Sequence, residues 1–398
     1  MIMKSAPTID LMRLVDETRS LIEPFCKKRD VALLEDIECI ETSDPDYLCK
    51  NPLLTVSVLA YNQENYIREC LDSILMQEVD FQYEILIGED CSNDATRTIC
   101  FEYQRRHPDK IRVLWSKSNV GLIANGLRVA ARKRGRYSCG IGGDDFFCSR
   151  DKLSKQVRYL ETHLDCAMVY CGAKQQLEGW KVTRGASSRK SDAWRRGINA
   201  LSRIDKARKM LRTNFVTACT PMGRQNPTLR VKMKRLEAKV GWVPSEDFVY
   251  WFYTLCEGDI HYIGGDKAVY RINSKSLSGN ANQSVALVRI LGDWRVRAVL
   301  ADECEFLDDD ERLQVAAGLV SALCDYYAYV VPSGKLPDYC AWVLAGNPQA
   351  FAGQYQPCIT GDFTLVRRKL KIRRIKWHFS HMMLGFLIKR IAVKLFNI

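Results

Sequence analysis

The strongest constraint on the fold is an unbroken alternation of strand-like and helix-like segments that begins after Pro52. The strand-like runs are short, rich in Val, Ile and Leu, and nearly continuously apolar, as in strands buried on both faces of a parallel sheet. Between the first two, Ile67, Leu71, Ile74 and Leu75 recur at helical spacing. Such alternation requires right-handed crossovers, so it predicts an α/β fold with a mostly parallel sheet and helices on both faces. The predicted strands are 55–61, 83–87, 111–115, 137–141 and 167–171.

The remainder of the chain divides by pattern into regions around this alternation. Helical patterns occur at the N-terminus, beside an acidic stretch, and return at 243–256 and 285–331. From 177 to about 239 the periodicity fails and Arg, Lys, Ser and Gly accumulate, which predicts a mobile surface segment. Residues 260–272 are predicted to form a short strand pair that turns at two adjacent glycines. We therefore predict a helical N-terminal extension (1–50), a main α/β domain of two halves (51–172 and 173–280), a helical region (281–362) and a basic tail (363–398).

Cysteine usage and charge limit the class of protein. The chain has 16 cysteines among 398 residues, yet none forms a CxxC pair and no secretory signal pattern precedes them. Because they are spread singly through the chain, they indicate buried free thiols in a reducing compartment, and we expect a cytoplasmic protein. The formal net charge of +12 is local, since residues 363–398 hold ten Lys or Arg and no acid. The rest of the chain is balanced, with 49 basic against 47 acidic residues.

The basic tail is compatible with three roles. Its cations alternate with apolar residues such as Trp377 and Phe386, and its apolar run is too short to span a bilayer. An amphipathic helix on an anionic membrane surface uses both features, and would hold the protein peripherally at the inner face of the membrane. A solvated charged face and a basic arm for nucleic acid are the alternatives. We favour the membrane surface and expect no nucleic-acid partner, because a nucleic-acid arm would not need the apolar anchors.

Polar clusters follow three predicted strands at the point where each strand ends. They are Tyr61-Asn62-Gln63, Glu89–Asp94 and Asp144-Asp145. In an open parallel sheet, ligands bind beyond the carboxyl ends of the strands. Carboxylates there suit two tasks, namely accepting hydrogen bonds from a base and ribose, and holding a divalent cation that neutralises a diphosphate. Any one cluster alone is as readily explained as a solvated turn, but three clusters at matching strand ends favour a nucleotide site. Because the sequence has no glycine-rich phosphate loop, we expect a metal ion to hold the phosphates.

The region from Thr55 to about Gly172 carries a series of short motifs in a fixed order, namely Val56–Asn62, Tyr66-Ile67, Leu71–Gln77, Glu84–Thr96, Asn119–Gly121 and Gly142–Asp145. In this series the region resembles the nucleotide-sugar domain of glycosyltransferase family 2, and a weaker match runs from Ser245 to Gly279. The resemblance implies a GT-A fold, which is Rossmann-like, with a helical C-terminal extension in this chain. It also implies inverting transfer from a nucleotide-sugar donor, UDP-linked in our prediction, with a divalent cation (Mn or Mg). The acceptor would be a glycan or glycolipid, as in bacterial enzymes of surface-polysaccharide synthesis.

The resemblance assigns roles to individual residues and reveals two departures. Gly142 stands in place of the first acid of the family's metal motif, which reduces the protein's share of metal ligation. Asn273 stands where many relatives have a histidine, and asparagine is a poor metal ligand. The first half of the main domain would bind the donor and the second half the acceptor. The implied donor contacts are Tyr61, Asn62, Glu89, Asp90, Asp144 and Asp145, with Asp144 as the metal ligand.

By the same resemblance, Asp247 corresponds to the catalytic base. Inversion needs one in-line displacement, in which a carboxylate accepts the proton of the acceptor hydroxyl as the new bond forms. Glu246 beside it would tune that carboxylate by like-charge repulsion. The alternative for this pair is purely structural, a helix N-terminus capped by Ser245 where acids favour the helix dipole. Two other functions stay open: a catalytically inactive nucleotide-sugar-binding partner subunit, and a basic peripheral membrane or RNA adaptor.

Overall fold

The computed structural model describes residues 9–23, 38–177, 192–272, 283–330, 335–351, 353–360 and 362–370. These residues fall into two compact units. An α/β unit lies within Cys26–Lys239 and Ser245–Ala281, and a helical unit lies within Met1–Phe25, Val240–Pro244 and Asn282–Ile398.

The described part of the α/β unit is built on one nine-stranded sheet. Its strands are β1 (Ile40–Thr42), β2 (Leu54–Ala60), β3 (Tyr83–Glu89), β4 (Ile111–Trp115), β5 (Tyr137–Gly142), β6 (Phe146–Phe147), β7 (Cys166–Leu177), β8 (Met222–Arg224) and β9 (Asp259–Ile272). They lie in the order β1-β4-β3-β2-β5-β8-β7-β9-β6. The strands β4, β3, β2 and β5 are parallel neighbours, as are β7 and β9, whereas β1, β6 and β8 pair antiparallel.

Helices connect these strands and form the second unit. They are α1 (Leu11–Glu17), α2 (Arg19–Ile22), α3 (Ile67–Leu75), α4 (Thr96–Arg106), α5 (Leu122–Ala130), α6 (Lys152–Thr162), α7 (Asp192–Asn199), α8 (Arg203–Arg212), α9 (Thr228–Val240), α10 (Glu246–Glu257), α11 (Gln283–Asp302), α12 (Asp309–Tyr329) and α13 (Asp338–Gly346). Two 3-10 helices, Pro348–Ala350 and Gly353–Thr360, follow.

The parallel strands predicted from the sequence are confirmed, and so is the mixed α/β architecture. One apolar core combines Val56 of β2, Ile85 of β3 and Ile141 of β5 with Leu71 of α3 and Leu153 of α6, all at most 5% exposed. The core forms because alternate side chains of each strand point to the same face, where apolar stripes of the helices cover them. Helix α5 covers the opposite face of the sheet, and a cavity remains on that face.

The expectation of a mobile, irregular segment is wrong for residues 192–239. Helices α7, α8 and α9 and strand β8 occupy most of this stretch. The helical pattern is obscured because inward positions include cations. Lys206 of α8 is 1% exposed and donates to both carboxylate oxygens of Asp259, at 2.7 and 2.8 Å. The ion pair lies beside Ala207, Met210 and Leu211, which are also buried, so the apolar stripe of α8 is short and is interrupted by a charge. Residues 178–191 lie outside the described residues.

The strand pair predicted at 260–272 is also wrong, because β9 is one continuous strand parallel to β7. The register shifts after Tyr262, where one residue of β7 lies opposite three of β9. Gly264 and Gly265 take φ values of 81° and 74°, in the left-handed region that favours glycine. The two glycines therefore form a bulge within the strand instead of a turn.

Part of the predicted N-terminal extension belongs to the sheet. Strand β1 pairs antiparallel with β4 at the sheet edge. Arg112 of β4 donates to Glu41 of β1 at 2.8 Å and to Glu84 of β3, which is fully buried, at 3.1 Å. One guanidinium thus joins three strands, and removing either acid would leave a buried charge incompletely paired.

The helical unit confirms the helical pattern predicted for 285–331, in α11 and α12. Arg295 of α11 is fully buried and donates to the hydroxyl of Thr18, just past α1, at 2.6 Å. Phe363, Val366 and Leu370 are buried as well, so the first residues of the predicted basic tail are part of this unit's core. Residues 371–398 lie outside the described residues. Among the helices described, none is both long and apolar enough to cross a bilayer.

Candidate active site

The three polar clusters predicted from the sequence start side by side. Strand β2 lies between β3 and β5, and the parallel register pairs Ala60 with Glu89 and Leu59 with Gly142. The loops that follow these strands therefore leave the sheet at the same edge. We call residues 61–63, 89–94 and 142–145 the carboxyl edge.

The loops after β2 and β3 are joined by reciprocal hydrogen bonds. The backbone N–H of Asn62 donates to the Ser92 hydroxyl at 3.0 Å, and the N–H of Asn93 donates to the Asn62 side-chain oxygen at 2.9 Å. Asn62 and Cys91 both have positive φ, 52° and 56°. Non-glycine residues hold this conformation only where their surroundings fix it, and such residues concentrate at functional sites. Asn62 thus shapes the carboxyl edge, while the neighbouring Tyr61 is 43% exposed.

Glu89 lies beneath this edge and not on its surface. Its side chain is fully buried, and its two oxygens accept from the N–H of Ser92 at 2.7 Å and from Nε of Arg97 at 2.6 Å. A carboxylate held in this way supports the turn, because Glu89 is the last residue of a central, buried strand. The direct donor contact of Glu89 stays a prediction.

Asp90 connects the edge to the loop that precedes α5. It is 2% exposed and accepts from the N–H groups of Val120 and Gly121, at 2.8 and 2.9 Å, and from the side-chain amide of Asn119 at 3.1 Å. Burial raises the pKa of Asp90, and the two backbone hydrogen bonds oppose that rise. An ionised carboxylate offers about four acceptor positions, and these bonds use three.

Asp144 and Asp145 follow the end of β5 and are held by Arg271 of β9. The N–H of Arg271 donates to the Asp145 carboxylate at 2.8 Å, and its guanidinium donates to the Asp144 carbonyl at 2.7 Å and pairs with Glu69. Burial, and next the Asp144 carboxylate, raise the pKa of Asp145 well above its usual range. Arg271 is a functional residue without a predicted role, and its one sequence signal is its place within the weaker family match. Asn273, two residues later, lies outside the described residues.

The position of the missing first acid has no room for a side chain as the loop stands. A Cβ built on Gly142 would lie 2.8 Å from Oδ1 of Asp144. Within the described ranges, His, Cys, Asp and Glu side chains nowhere form a group of three suited to a metal ion. The edge does offer two adjacent carboxylates, and Mg²⁺ is commonly held by one or two carboxylates together with substrate phosphates. The acid pair fits a cation that arrives with a diphosphate.

Glu246 and Asp247 begin α10, where the N–H of Phe248 donates to Asp247 Oδ1 at 2.8 Å. Both acids line a cavity of about 550 Å³ that we call the α5 cavity. It lies on the α5 face of the sheet and is also lined by Leu59 and Gly140. None of the predicted donor contacts lines it. The structure therefore divides the predicted residues into two sets, the donor contacts at the carboxyl edge and the two acids in the α5 cavity. The two sets are neighbours, because Leu59 lines the cavity and pairs with Gly142 of the carboxyl edge.

The fold has counterparts among solved structures. S. aureus TarS 1–349, solved in complex with UDP-GlcNAc, superposes with a TM-score of 0.50 at 17% sequence identity, over 81% of this chain and 92% of that one. At that identity the likeness concerns the fold alone. The α/β unit has the GT-A glycosyltransferase fold.

Sequence comparison identifies a family domain within the α/β unit. Residues 55–225 match the model described as Glycosyl transferase family 2. Rv1520, an uncharacterized protein of Mycobacterium tuberculosis, is 34% identical over 165 residues, which are 41% of this chain and 46% of the relative. The putative teichuronic acid biosynthesis glycosyltransferase TuaG of Bacillus subtilis is 25% identical over 58% of this chain and 82% of its own. The chain thus spans about half the length of Rv1520. It carries a domain of glycosyltransferase family 2.

Proposed function

We propose that this protein is an inverting glycosyltransferase that moves a sugar from a nucleotide-diphosphate donor to a hydroxyl of a glycan or glycolipid. The observation that carries the proposal is the carboxyl edge, where three loops of adjacent parallel strands bring Asp90, Asp144 and Asp145 to one side of the sheet. The ligand of TarS and the name of TuaG favour a UDP-linked donor and a surface-polysaccharide acceptor.

In this proposal the donor lies across the carboxyl edge. Tyr61 is exposed and offers an aromatic face to the base, and Asp90 retains an acceptor position toward it. Asn62 and Glu89 fix the loops that carry these groups. Asp144, with Asp145 beside it, would hold a Mg²⁺ or Mn²⁺ ion. When bound, such an ion neutralises the charge that develops on the diphosphate.

Asp247 would act as the base on the acceptor. Its carboxylate takes the hydroxyl proton while the acceptor oxygen bonds to the anomeric carbon. The anomeric carbon–oxygen bond breaks in the same step, and its electron pair leaves with the diphosphate. A single base on one face of the sugar yields inversion. Glu246, in the same helical turn, supplies a second negative charge to the acceptor side.

A donor screen tests the proposal. Nucleotide sugars with UDP, GDP and other nucleotides would be added with and without Mn²⁺, and thermal shift and donor hydrolysis would be measured. We expect one donor to stabilise the protein and to be hydrolysed slowly with metal. Stabilisation without any hydrolysis or transfer would instead support the inactive binding subunit. The absence of both would support the adaptor.

We also propose that the tail holds the protein peripherally at the inner, cytoplasmic face of a membrane. Residues 371–398 contain seven Lys or Arg and no acid, and each basic residue near an anionic surface contributes about 1 kcal/mol. Replacing these seven by Gln should abolish sedimentation with anionic vesicles at low salt, while transfer to a soluble acceptor continues. Neutral vesicles are the control. Unchanged binding of the variant would contradict the proposal.

A further inference from the structure

Two positions that line the α5 cavity lack side chains. Gly126 of α5 and Gly140 of β5 both line it. A Cβ on Gly126 would have its nearest neighbour, Leu59 Cδ1, at 3.8 Å, and one on Gly140 would have Ser57 Oγ at 3.7 Å. Both distances are ordinary van der Waals contacts, so either position has room for a side chain. Glycine in mid-helix also costs about 1 kcal/mol relative to alanine, so packing and helix propensity alone do not account for Gly126.

The cavity extends along the sheet from one edge toward the other. Leu59 lies near the carboxyl end of β2, and Asp247 is at the start of α10. Ser138 lies near the amino end of β5, and Lys133 lies in the connection between α5 and β5. All four line the cavity. A bound molecule could therefore reach from the proposed base toward the opposite edge of the sheet. Its walls are largely apolar and include Leu127, Met168, Leu229, Met233 and Trp251.

Lys133 is the unusual polar residue of this lining. Among the described residues, no hydrogen bond or ion pair engages its ammonium group, although the residue is only partly exposed. Burial lowers the pKa of Lys133 to about 8, and the Cys139 thiol opposes that change only in part. The other cation on the lining, Arg230, is on the exposed side of α9. A cation in apolar surroundings is stabilised by an anion that binds next to it.

We propose that the α5 cavity binds the acceptor, and that the acceptor is an amphiphilic anion: an apolar body with one phosphate or carboxylate group that pairs with Lys133. This inference rests on the proposed function and specifies its acceptor class. The apolar walls would contact the apolar body, and Lys133 would pair with the acidic group. Asp247, which also lines the cavity, would accept the proton of the reacting hydroxyl.

The test uses the full chain and two probes of equal chain length, decyl phosphate and the uncharged decyl glucoside. Binding is measured by calorimetry for wild type, Gly126→Leu, Lys133→Met and Lys133→Arg. We expect Gly126→Leu to weaken both probes at least about tenfold, while its melting temperature holds or rises because a leucine fills space in mid-helix. Donor hydrolysis should continue, since the carboxyl edge is untouched.

Lys133→Met should weaken decyl phosphate about tenfold or more and leave decyl glucoside unchanged, because a hydrogen bond to a charged group contributes about 1.5–3 kcal/mol. Lys133→Arg should restore phosphate binding. The control is Lys232→Met on α9, whose ammonium pairs with Glu257 at 2.7 Å and does not line the cavity.

Three results would overturn the inference: no binding of either probe by wild type, unchanged binding in Gly126→Leu, or equal losses of both probes in Lys133→Met. Inorganic phosphate and glucuronate, tested as competitors, distinguish a phosphate-bearing from a carboxylate-bearing acceptor. Failure of the proposed function has a different signature. In that case wild type hydrolyses no nucleotide sugar, whereas Lys133-dependent binding of decyl phosphate persists.

Discussion

Asp247→Asn should lower turnover by about 10²–10⁴-fold, the usual contribution of a general base, while donor affinity stays within twofold or so. Asparagine keeps the shape of the side chain and its oxygen still accepts the hydrogen bond from Phe248 at 2.8 Å. It cannot take up the acceptor proton at neutral pH. Loss of turnover without loss of donor binding is the kinetic signature of an interaction made only in the transition state. Initial rates and calorimetric titration with the nucleotide diphosphate measure the two quantities.

A matched control comes from the other end of the same helix. Glu257→Gln removes one negative charge from α10, where Glu257 accepts from Thr228 at 3.0 Å and Lys232 at 2.7 Å, far along the helix from its first turn. It should transfer sugar at nearly the wild-type rate.

Glu246→Gln should give an intermediate loss of turnover, because Glu246 lines the same cavity as Asp247 but is not the base. If donor affinity fell in parallel with turnover in Asp247→Asn, Asp247 would have a donor-binding or structural role.

The parallel half of the sheet could be predicted from the sequence because its signal is local. Strand β3 is buried at all seven positions and contains the apolar run Ile85-Leu86-Ile87, and α3 shows a single apolar face. The carboxyl edge followed from the same signal. Once the strands were known, topology required that the residues after Ala60, Glu89 and Gly142 lie together.

Long-range polar contacts could not be predicted in the same way. The bond from Arg271 to Asp145 joins residues 126 positions apart, and no periodicity marks it. Glu89 shows the same limit: the sequence indicated an acid at a strand end, but neither its burial nor its bond to Arg97 could be predicted from the sequence. Helix α8 was missed because the inward position of Lys206 carries a charge. Lys133 gave no signal at all, since only its surroundings make it unusual.

Asp144→Ala should reduce transfer by at least about 100-fold, because a metal ion on the diphosphate contributes several kcal/mol and each 1.4 kcal/mol is a factor of ten in rate. The loss should be large even though the first acid of the motif is Gly142. The space beside that glycine already holds Asp144 Oδ1, which a Cβ at residue 142 would meet at 2.8 Å. The remaining carboxylate of the pair, Asp145, is occupied with the N–H of Arg271 and is 3% exposed. Asp144 is therefore the acid that we expect to carry the metal.

Thermal shift with the nucleotide diphosphate and Mn²⁺ separates metal binding from folding. The melting temperature of wild type should rise only when the nucleotide diphosphate and Mn²⁺ are added together. Asp144→Ala should have the melting temperature of unliganded wild type, and Mn²⁺ should not raise it. Chelation should abolish transfer by wild type, and added Mn²⁺ should restore it. Asp266→Asn is the control, an exposed acid in the bulge of the strand that carries Arg271, and it should behave as wild type. Full transfer by wild type in excess chelator would show that the enzyme stabilises the leaving diphosphate without a divalent cation. Arg271, whose guanidinium contacts the Asp144 carbonyl at 2.7 Å, would then be the cation to test for that role.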